Sequence, residues 1–406
     1  NNLSLESKRR EIQKSKYGVS ENRARLLPQI SAVAGYSNNF DPPVSVTDGS
    51  SYGVPYNITQ TLQHSANAGL EMQMPLFNQT LYTSMSIAKV MEEISRLSYG
   101  KAREDVILQI SKMYYLGQVT AEQIMLIKAN ITRLEELRDI TQAFFDNGMS
   151  MEVDLKRVNI NLENLKVQYD NAQAMMKQQL NMLKYIMDYP AEKEIALTPV
   201  NTDSITTVAL TGLSENIYEL QLSQSQVQLA ERQKKIITNG YIPSLSLTGS
   251  WRYAAYTDKG YHWFHSGPSN QWFRSYGVGL TLRIPIFDGL DKTYKIKKAM
   301  IDIENKRLAW EDARKNLQTQ YLNAVNDLMN NQRNFKKQKD NYLLAEDVYA
   351  VTSDRYREGI ASMTEVLQDE MQMSEAQNNY ISAHYNYRVT NLMLLKLTGQ
   401  IASLFK

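Results

Sequence analysis

Two histidines, His262 and His265, stand three apart in the stretch "YHWFH", a spacing that lets two imidazoles meet one metal ion. No helix is expected there and no further ligand stands nearby, so the stretch reads as an aromatic loop cluster. Eighteen methionines raise a second possibility, thioether ligation of a soft metal. Met72 and Met74 fall on one face of an expected strand, and most others fall on helical seams, where thioethers pack. Cysteine is absent, which removes disulfides, thiolate ligands and a cysteine nucleophile. No phosphate loop, Ser/His/Asp order or pair of catalytic carboxylates stands out. The residues give no catalytic site, no metal site and no cofactor, and the chain does not read as an enzyme.

The elements that carry these residues follow from composition and pattern. The 406 residues are 43% hydrophobic and 22% charged, with a mean hydropathy of −0.45, which suits a chain with a large core. No window approaches the roughly 18–20 apolar residues of a membrane-spanning helix. The opening "NNLSLESKRR" carries no apolar segment, so a signal peptide or lipid anchor would have to precede Asn1. The 45 basic and 43 acidic residues nearly cancel, which argues against nucleic acid as a partner. Tyrosine is abundant, at 25 residues.

The chain repeats itself. Pro28 matches Pro243, "GLEMQMPLFNQT" with Pro75 matches "GLTLRIPIFDGL" with Pro285, and "FFDNGMSMEVDL" with Gly148 matches "RYREGIASMTEV" with Gly359. "LNMLKYIMD" matches "NLMLLKLTG" at a similar offset. Such steady offsets indicate a duplicated unit of about 210 residues, with a first repeat over 1–212 and a second over 213–406.

Each repeat contains two alternating segments, about 28–40 and 64–75 in the first and 242–257 and 272–285 in the second. Leu245, Leu247, Trp251 and Tyr253 alternate with Ser244, Ser246, Thr248, Ser250 and Arg252. Tyr276, Val278, Leu280, Leu282 and Ile284 alternate with Gly277, Gly279, Thr281 and Arg283. In the first repeat Leu70, Met72 and Met74 face away from Gly69, Glu71 and Gln73. This period of two suits strands with one apolar and one polar face. Alternation alone leaves two readings open, a one-sided sheet on a soluble core and barrel strands that are apolar outside and polar within.

Long helices follow the strands. Asn78 and Asp288 stand where N-caps belong, and no proline interrupts 78–147 or 288–357, each enough for a helix on the order of 100 Å long. Beyond Gly148 a heptad seam runs through Leu155, Val158, Leu162, Leu165, Tyr169, Ala172 and Met176. Its counterpart runs through Val366, Met373, Tyr380, Tyr387 and Leu394, with Ala376, Ala383 and Leu397 as companions. Gly148 and Gly359 therefore read as tight turns of helical hairpins, with Ser150 and Ser362 placed to cap returning helices over 150–187 and 362–398. Residues 3–27 and 213–240 supply two further half-length helices, and 188–212 reads as a connecting band. Loops are expected over about 41–63 and 258–271.

Strand pairs bracketed by "LLPQIS" and "MPLFN", long helices, and a hairpin with "GIASMTEVL" (359–367) resemble the TolC family of outer-membrane efflux proteins. The resemblance implies a mainly α fold with β: a homotrimer whose chains give four strands each to one 12-stranded transmembrane β-barrel. A long α-helical coiled-coil barrel would continue it into the periplasm. It implies an exit duct of a tripartite efflux or type I secretion system in the outer membrane. Such a duct passively conducts drugs, ions or proteins delivered by a periplasmic adaptor and an inner-membrane transporter. Outer-membrane lipid would meet Leu70, Met72, Leu245, Leu247, Trp251, Val278, Leu280 and Leu282. The hairpin tips, at Gly148, Ser150, Gly359 and Ser362, would meet the adaptor.

The family places acidic residues six and nine positions after the second hairpin glycine. Here these are Glu365 and Gln368, with Asp369 next to the latter. Asp154 and Tyr356 match the aspartate and tyrosine that tie the closed state; the expected arginine position holds Ala361, with Arg355 and Arg357 as substitutes. Three copies of Glu365 would form the constriction, opened by an iris-like shift when Tyr356 and Asp154 part, and sensitive to pH and divalent cations because like charges are held close. A trimeric coiled-coil surface protein or adhesin without transport would explain the heptads but not the strand pairs. A soluble α+β scaffold would leave the outward leucines and tryptophan in water.

Overall fold

Alternation in the four strand segments produces one antiparallel sheet in the order β1–β4–β5–β6. The strands are β1 (Gln29–Asn38), β4 (His64–Phe77), β5 (Ser244–Thr257) and β6 (Trp272–Arg283). The computed structural model describes residues 2–41, 45–55, 58–60, 63–199, 212–257 and 272–405. His262 and His265 lie outside the described residues, as do 200–211 of the connecting band.

The register puts Leu70 opposite Trp251, Met72 opposite Gly249, Leu247 opposite Leu280, Leu245 opposite Leu282 and Trp251 opposite Tyr276. Val278 opposes Gly249. Directly paired residues share a face, so all eight expected apolar-face residues fall on one side of the sheet. The other side carries Gln73, Thr248, Ser250 and the ion pair of Arg252 Nη2 with Glu71 Oε1 at 2.5 Å. β1 and β6 are the two edges. Within the stretch expected to be loop, β2 (Ser45–Thr47) and β3 (Ile58–Gln60) form a short antiparallel ladder. Val46 and Thr47 of β2 are β-branched, which suits a strand.

The helices are α1 (Leu3–Ala24), α2 (Gln79–Asp146), α3 (Glu152–Met187), α4 (Tyr218–Asn239), α5 (Asp291–Arg357) and α6 (Met363–Leu397). Among the described residues none is long and apolar enough to cross a membrane. Asn78 Oδ1 accepts hydrogen bonds from the backbone N–H of Thr80 (3.0 Å) and Leu81 (3.3 Å), capping α2. Asp288 accepts from the N–H of Lys292 at 3.2 Å, yet α5 begins three residues late. Gly289 and Leu290, at φ +66° and +68°, hold a left-handed turn that must finish before the helix can. α4 also begins later than 213.

The chain divides into two compact units. The first comprises Asn1–Ile12, Ser95–Gln224 and Leu308–Lys406; the second, which holds the sheet, comprises Gln13–Ile94 and Ser225–Arg307. Each unit takes segments from both halves of the sequence. In the first, most of the expected seam positions are buried: Val158, Leu162, Leu165 and Ala172 on α3, and Val366, Met373, Tyr380, Ala383, Tyr387, Leu394 and Leu397 on α6; Leu155, Tyr169, Met176 and Ala376 are half-buried. The described part of the connecting band lies against α2, where Gln118 Nε2 donates to the carbonyl of Thr198 at 2.7 Å.

Four helices end in the same way. Gly148 (φ +72°) and Gly359 (φ +74°) close α2 and α5 with paired bonds: Gly148 N to Phe145 O and Met149 N to Phe144 O, then Gly359 N to Tyr356 O and Ile360 N to Arg355 O. α6 ends at Gly399 (φ +72°) and α3 at Asp188 (φ +53°). Asp188 thus takes a left-handed conformation that costs any side chain something, and sets a negative charge at the negative end of the helix. Asp188→Gly is expected to stabilise the helical unit by about 0.5 kcal/mol, net of the extra freedom glycine gives the unfolded chain. Denaturant titration checks this.

Candidate functional site

The two hairpin turns differ in how the returning helix starts. Ser362 forms a capping box: its Oγ accepts from Glu365 N (3.3 Å), and Glu365 Oε2 accepts from Ser362 N (3.1 Å). Ser150 does not cap α3. Met151 occupies the N-cap position without a side-chain bond, and Ser150 Oγ donates instead to the carbonyl of Thr141 on the outgoing helix at 3.3 Å. Glu365 and Gln368 are exposed, Asp369 is half-buried, and the next residue, Glu370, is only 5% exposed.

Tyr356 and Asp154 each bond elsewhere within the chain. Tyr356 is buried; its hydroxyl donates to Thr141 Oγ1 at 3.3 Å and its ring lies 5.7 Å from that of Phe144. Burial pushes the Tyr356 phenol up; the Thr141 bond lowers it, and the charge of Asp154 raises it again. Asp154 therefore stands in the field of Tyr356 but pairs with Arg157 at 3.3 Å. Arg357 bridges Asp354 and Glu136, both at 3.5 Å, linking α5 to α2. Arg355 has no ion pair among the described residues. Arg157, which sequence reasoning passed over, also donates to Thr364 Oγ1 at 3.3 Å and so joins the first turns of α3 and α6.

A second feature escaped the sequence reading. Between the apolar seam positions of α6 stand Glu370, Gln377, His384 and Asn391, seven apart and polar. Gln377 Oε1 accepts from Asn130 Nδ2 at 2.7 Å. Fully buried His384 meets Glu122 Oε2 through Nδ1 (3.3 Å) and Arg388 Nε through Nε2 (3.4 Å). Tyr380 donates to Glu122 Oε1 at 2.9 Å, and burial followed by the Glu122 charge pushes its phenol well up. Glu370 sits among Tyr349, Val366, Leu367 and Met373; its Oε1 has no hydrogen-bond partner among the described residues. Burial raises its carboxyl above the usual range, and the Arg133 charge offsets part of the rise. The spacing of 370, 377, 384 and 391 was the signal for this seam, which the apolar companions Ala376 and Ala383 had masked.

A one-sided sheet of four strands joined to paired helical hairpins invites comparison with known proteins. Residues 1–187 and 209–400 match the model of the family described as outer membrane efflux protein. The chain belongs to this family. Outer membrane protein TolC of Vibrio cholerae is 20% identical over 400 residues, covering 95% of this chain and 84% of that one. The probable efflux pump outer membrane protein TtgC of Pseudomonas putida is 23% identical over 379 residues, covering 88% and 75%. Among solved structures, CusC superposes with a TM-score of 0.81 at 16% identity, over 98% of this chain and 89% of that one. The open state of the Neisseria gonorrhoeae MtrE outer membrane channel gives 0.77 at 18%, over 98% and 86%. The fold is that of the outer-membrane efflux channels, and the chain is an outer membrane efflux protein.

Proposed function

We propose that three copies of the chain close one 12-stranded barrel and one helical duct, through which substrates handed over by an adaptor and an inner-membrane pump leave the cell. The observation that carries this reading is the sheet: one face is apolar and largely exposed, with Val278 at 80% and Leu280 at 66%, and both edges, β1 and β6, lack a partner strand among the described residues. Four strands cannot close on themselves, so further copies must cover the edges, and lipid then covers the apolar face. The first unit supports the same conclusion. Leu308, Leu322, Met329 and Leu343 of α5, each about half exposed, fall on one heptad phase that Lys315 and Lys336 interrupt, an apolar stripe with two charged positions that fits a neighbouring copy. The turns at Gly148, Ser150, Gly359 and Ser362 supply the docking tips.

At the constriction, Glu365 lines the closed duct and Tyr356 with Thr141 holds α5 against α2. Glu365→Gln is expected to alter cation block, and Tyr356→Phe to raise open probability, in single-channel recordings in lipid bilayers. Both variants behaving as the parent would refute the gate. The assembly itself is tested by light scattering and negative-stain imaging of detergent-extracted protein. A mass of three chains is expected; a monomer that needs no detergent would end the duct reading, and a detergent-independent trimeric fibre would favour the adhesin.

A further inference from the structure

Glu370 carries a charge-bearing group into the core of the helix that supports the constriction. It lies five residues beyond Glu365, 5% exposed, with Oε1 unpaired. The groups that face it are few. From α2 comes Arg133, whose Nη1 pairs with Glu346 of α5 at 2.9 Å and whose Nη2 donates to Asn130 Oδ1 at 2.6 Å, while its buried Nε has no partner among the described residues. From α5 comes the Tyr349 ring, with the Arg133 guanidinium 6.0 Å from its centroid. From α3 the same cluster receives only Val158, Leu162 and Leu165. One arginine thus serves two carboxylates, and Glu346 holds the direct contact.

We infer that Glu370 is a proton-binding site that sets the bias of the hairpin, its protonated form holding α6 against α2 and α5 and its ionised form releasing α6. An ionised carboxylate with an unpaired oxygen in an apolar cluster is costly, and the cost is relieved when water reaches it. Water reaches Glu370 only if Met363, Val366, Leu367 and Met373, which flank it on α6, draw away from their partners. Because Glu365 rides on the same turns, that motion widens the constriction. Ionisation therefore favours the conformation in which α6 is displaced, and a proton favours the closed one, each by its differential affinity for the two states. Burial raises the Glu370 carboxyl and the Arg133 charge offsets part of the rise, so this titration lies above that of an exposed carboxylate.

The inference rests on the duct and gate reading, and its test separates the two. Single-channel recordings of the full trimer in planar bilayers, across about pH 5–8, should show a closed-to-open ratio that rises by about tenfold as pH falls, the factor that one unit of difference in pKa between the two states supplies. Glu370→Gln should flatten that rise, leaving only the pH dependence that the Glu365 constriction contributes. Infrared difference spectra over the same range should show a protonated-carboxyl band that is weaker in Glu370→Gln than in the parent, the remainder coming from other raised carboxyls such as Glu104. A pH profile unchanged by Glu370→Gln, or a carboxyl band that keeps its full amplitude after the substitution, would overturn the proton site and leave the duct standing. Absence of any conducting species would overturn both.

Discussion

Arginine in place of Val278 should prevent the sheet from entering a bilayer. Val278 is 80% exposed on the apolar face and stands opposite Gly249, which has no side chain to shelter a guanidinium. An arginine near the middle of a lipid-facing strand costs about 2–4 kcal/mol, and the proposed trimer would bear that cost three times. The control is Ser250→Arg, one residue along β5 on the polar face, where Arg252 and Glu71 already pair. It is expected to change stability by no more than about 0.5 kcal/mol. Refolding yield and denaturant midpoints in phospholipid vesicles measure both. Equal losses in the two variants would mean that the apolar face does not meet lipid.

The strands and long helices were legible for separable reasons. Alternation fixes the face of every strand residue, and the prolines at 28, 75, 243 and 285 mark the strand–helix junctions. The long helices follow from the lack of proline and from caps such as Asn78. What escaped was chemistry that depends on backbone conformation or on a second chain. Nothing in "DGLD" announces that Leu290 would join Gly289 in the left-handed region and delay α5. The failure of Ser150 to cap was readable. Three residues after Ser362 stands Glu365, completing a capping box, whereas three after Ser150 stands Val153, which cannot return the bond. The proposed gate residues are of a different kind. A constriction on a three-fold axis would need three copies, and one chain places Glu365 at a helix start and goes no further. The polar seam of α6 shows the reverse case, in which one chain suffices: Gln377 finds Asn130 and His384 finds Glu122 within the same hairpin pair.

Arg133→Met is expected to lower the stability of the helical unit by about 2 kcal/mol at pH 7.5, and Glu370→Gln to restore roughly half of that loss. Removing one partner of a buried ion pair commonly costs about 3–5 kcal/mol, because the other charge remains buried alone. The smaller figure applies here because the Arg133 and Glu346 side chains are 29% and 34% exposed, so water screens what methionine leaves behind. Glu370 has no such relief, and its isosteric amide removes the buried charge while keeping the volume. The pH dependence fixes the assignment. The folded chain holds the Glu370 proton more tightly than the unfolded chain, whose carboxyl lies near 4.5, so its contribution is fully present below that value and is lost as pH rises through the folded one. The penalty of Arg133→Met should therefore shrink as pH falls toward about 4.5, and the benefit of Glu370→Gln should vanish with it. Helical circular dichroism followed through denaturant at several pH values provides the double-mutant cycle. Strict additivity of the two substitutions at pH 7.5 would show that Arg133 and Glu370 do not sense each other, and that the arginine stabilises the hairpin through Glu346 and Asn130 alone.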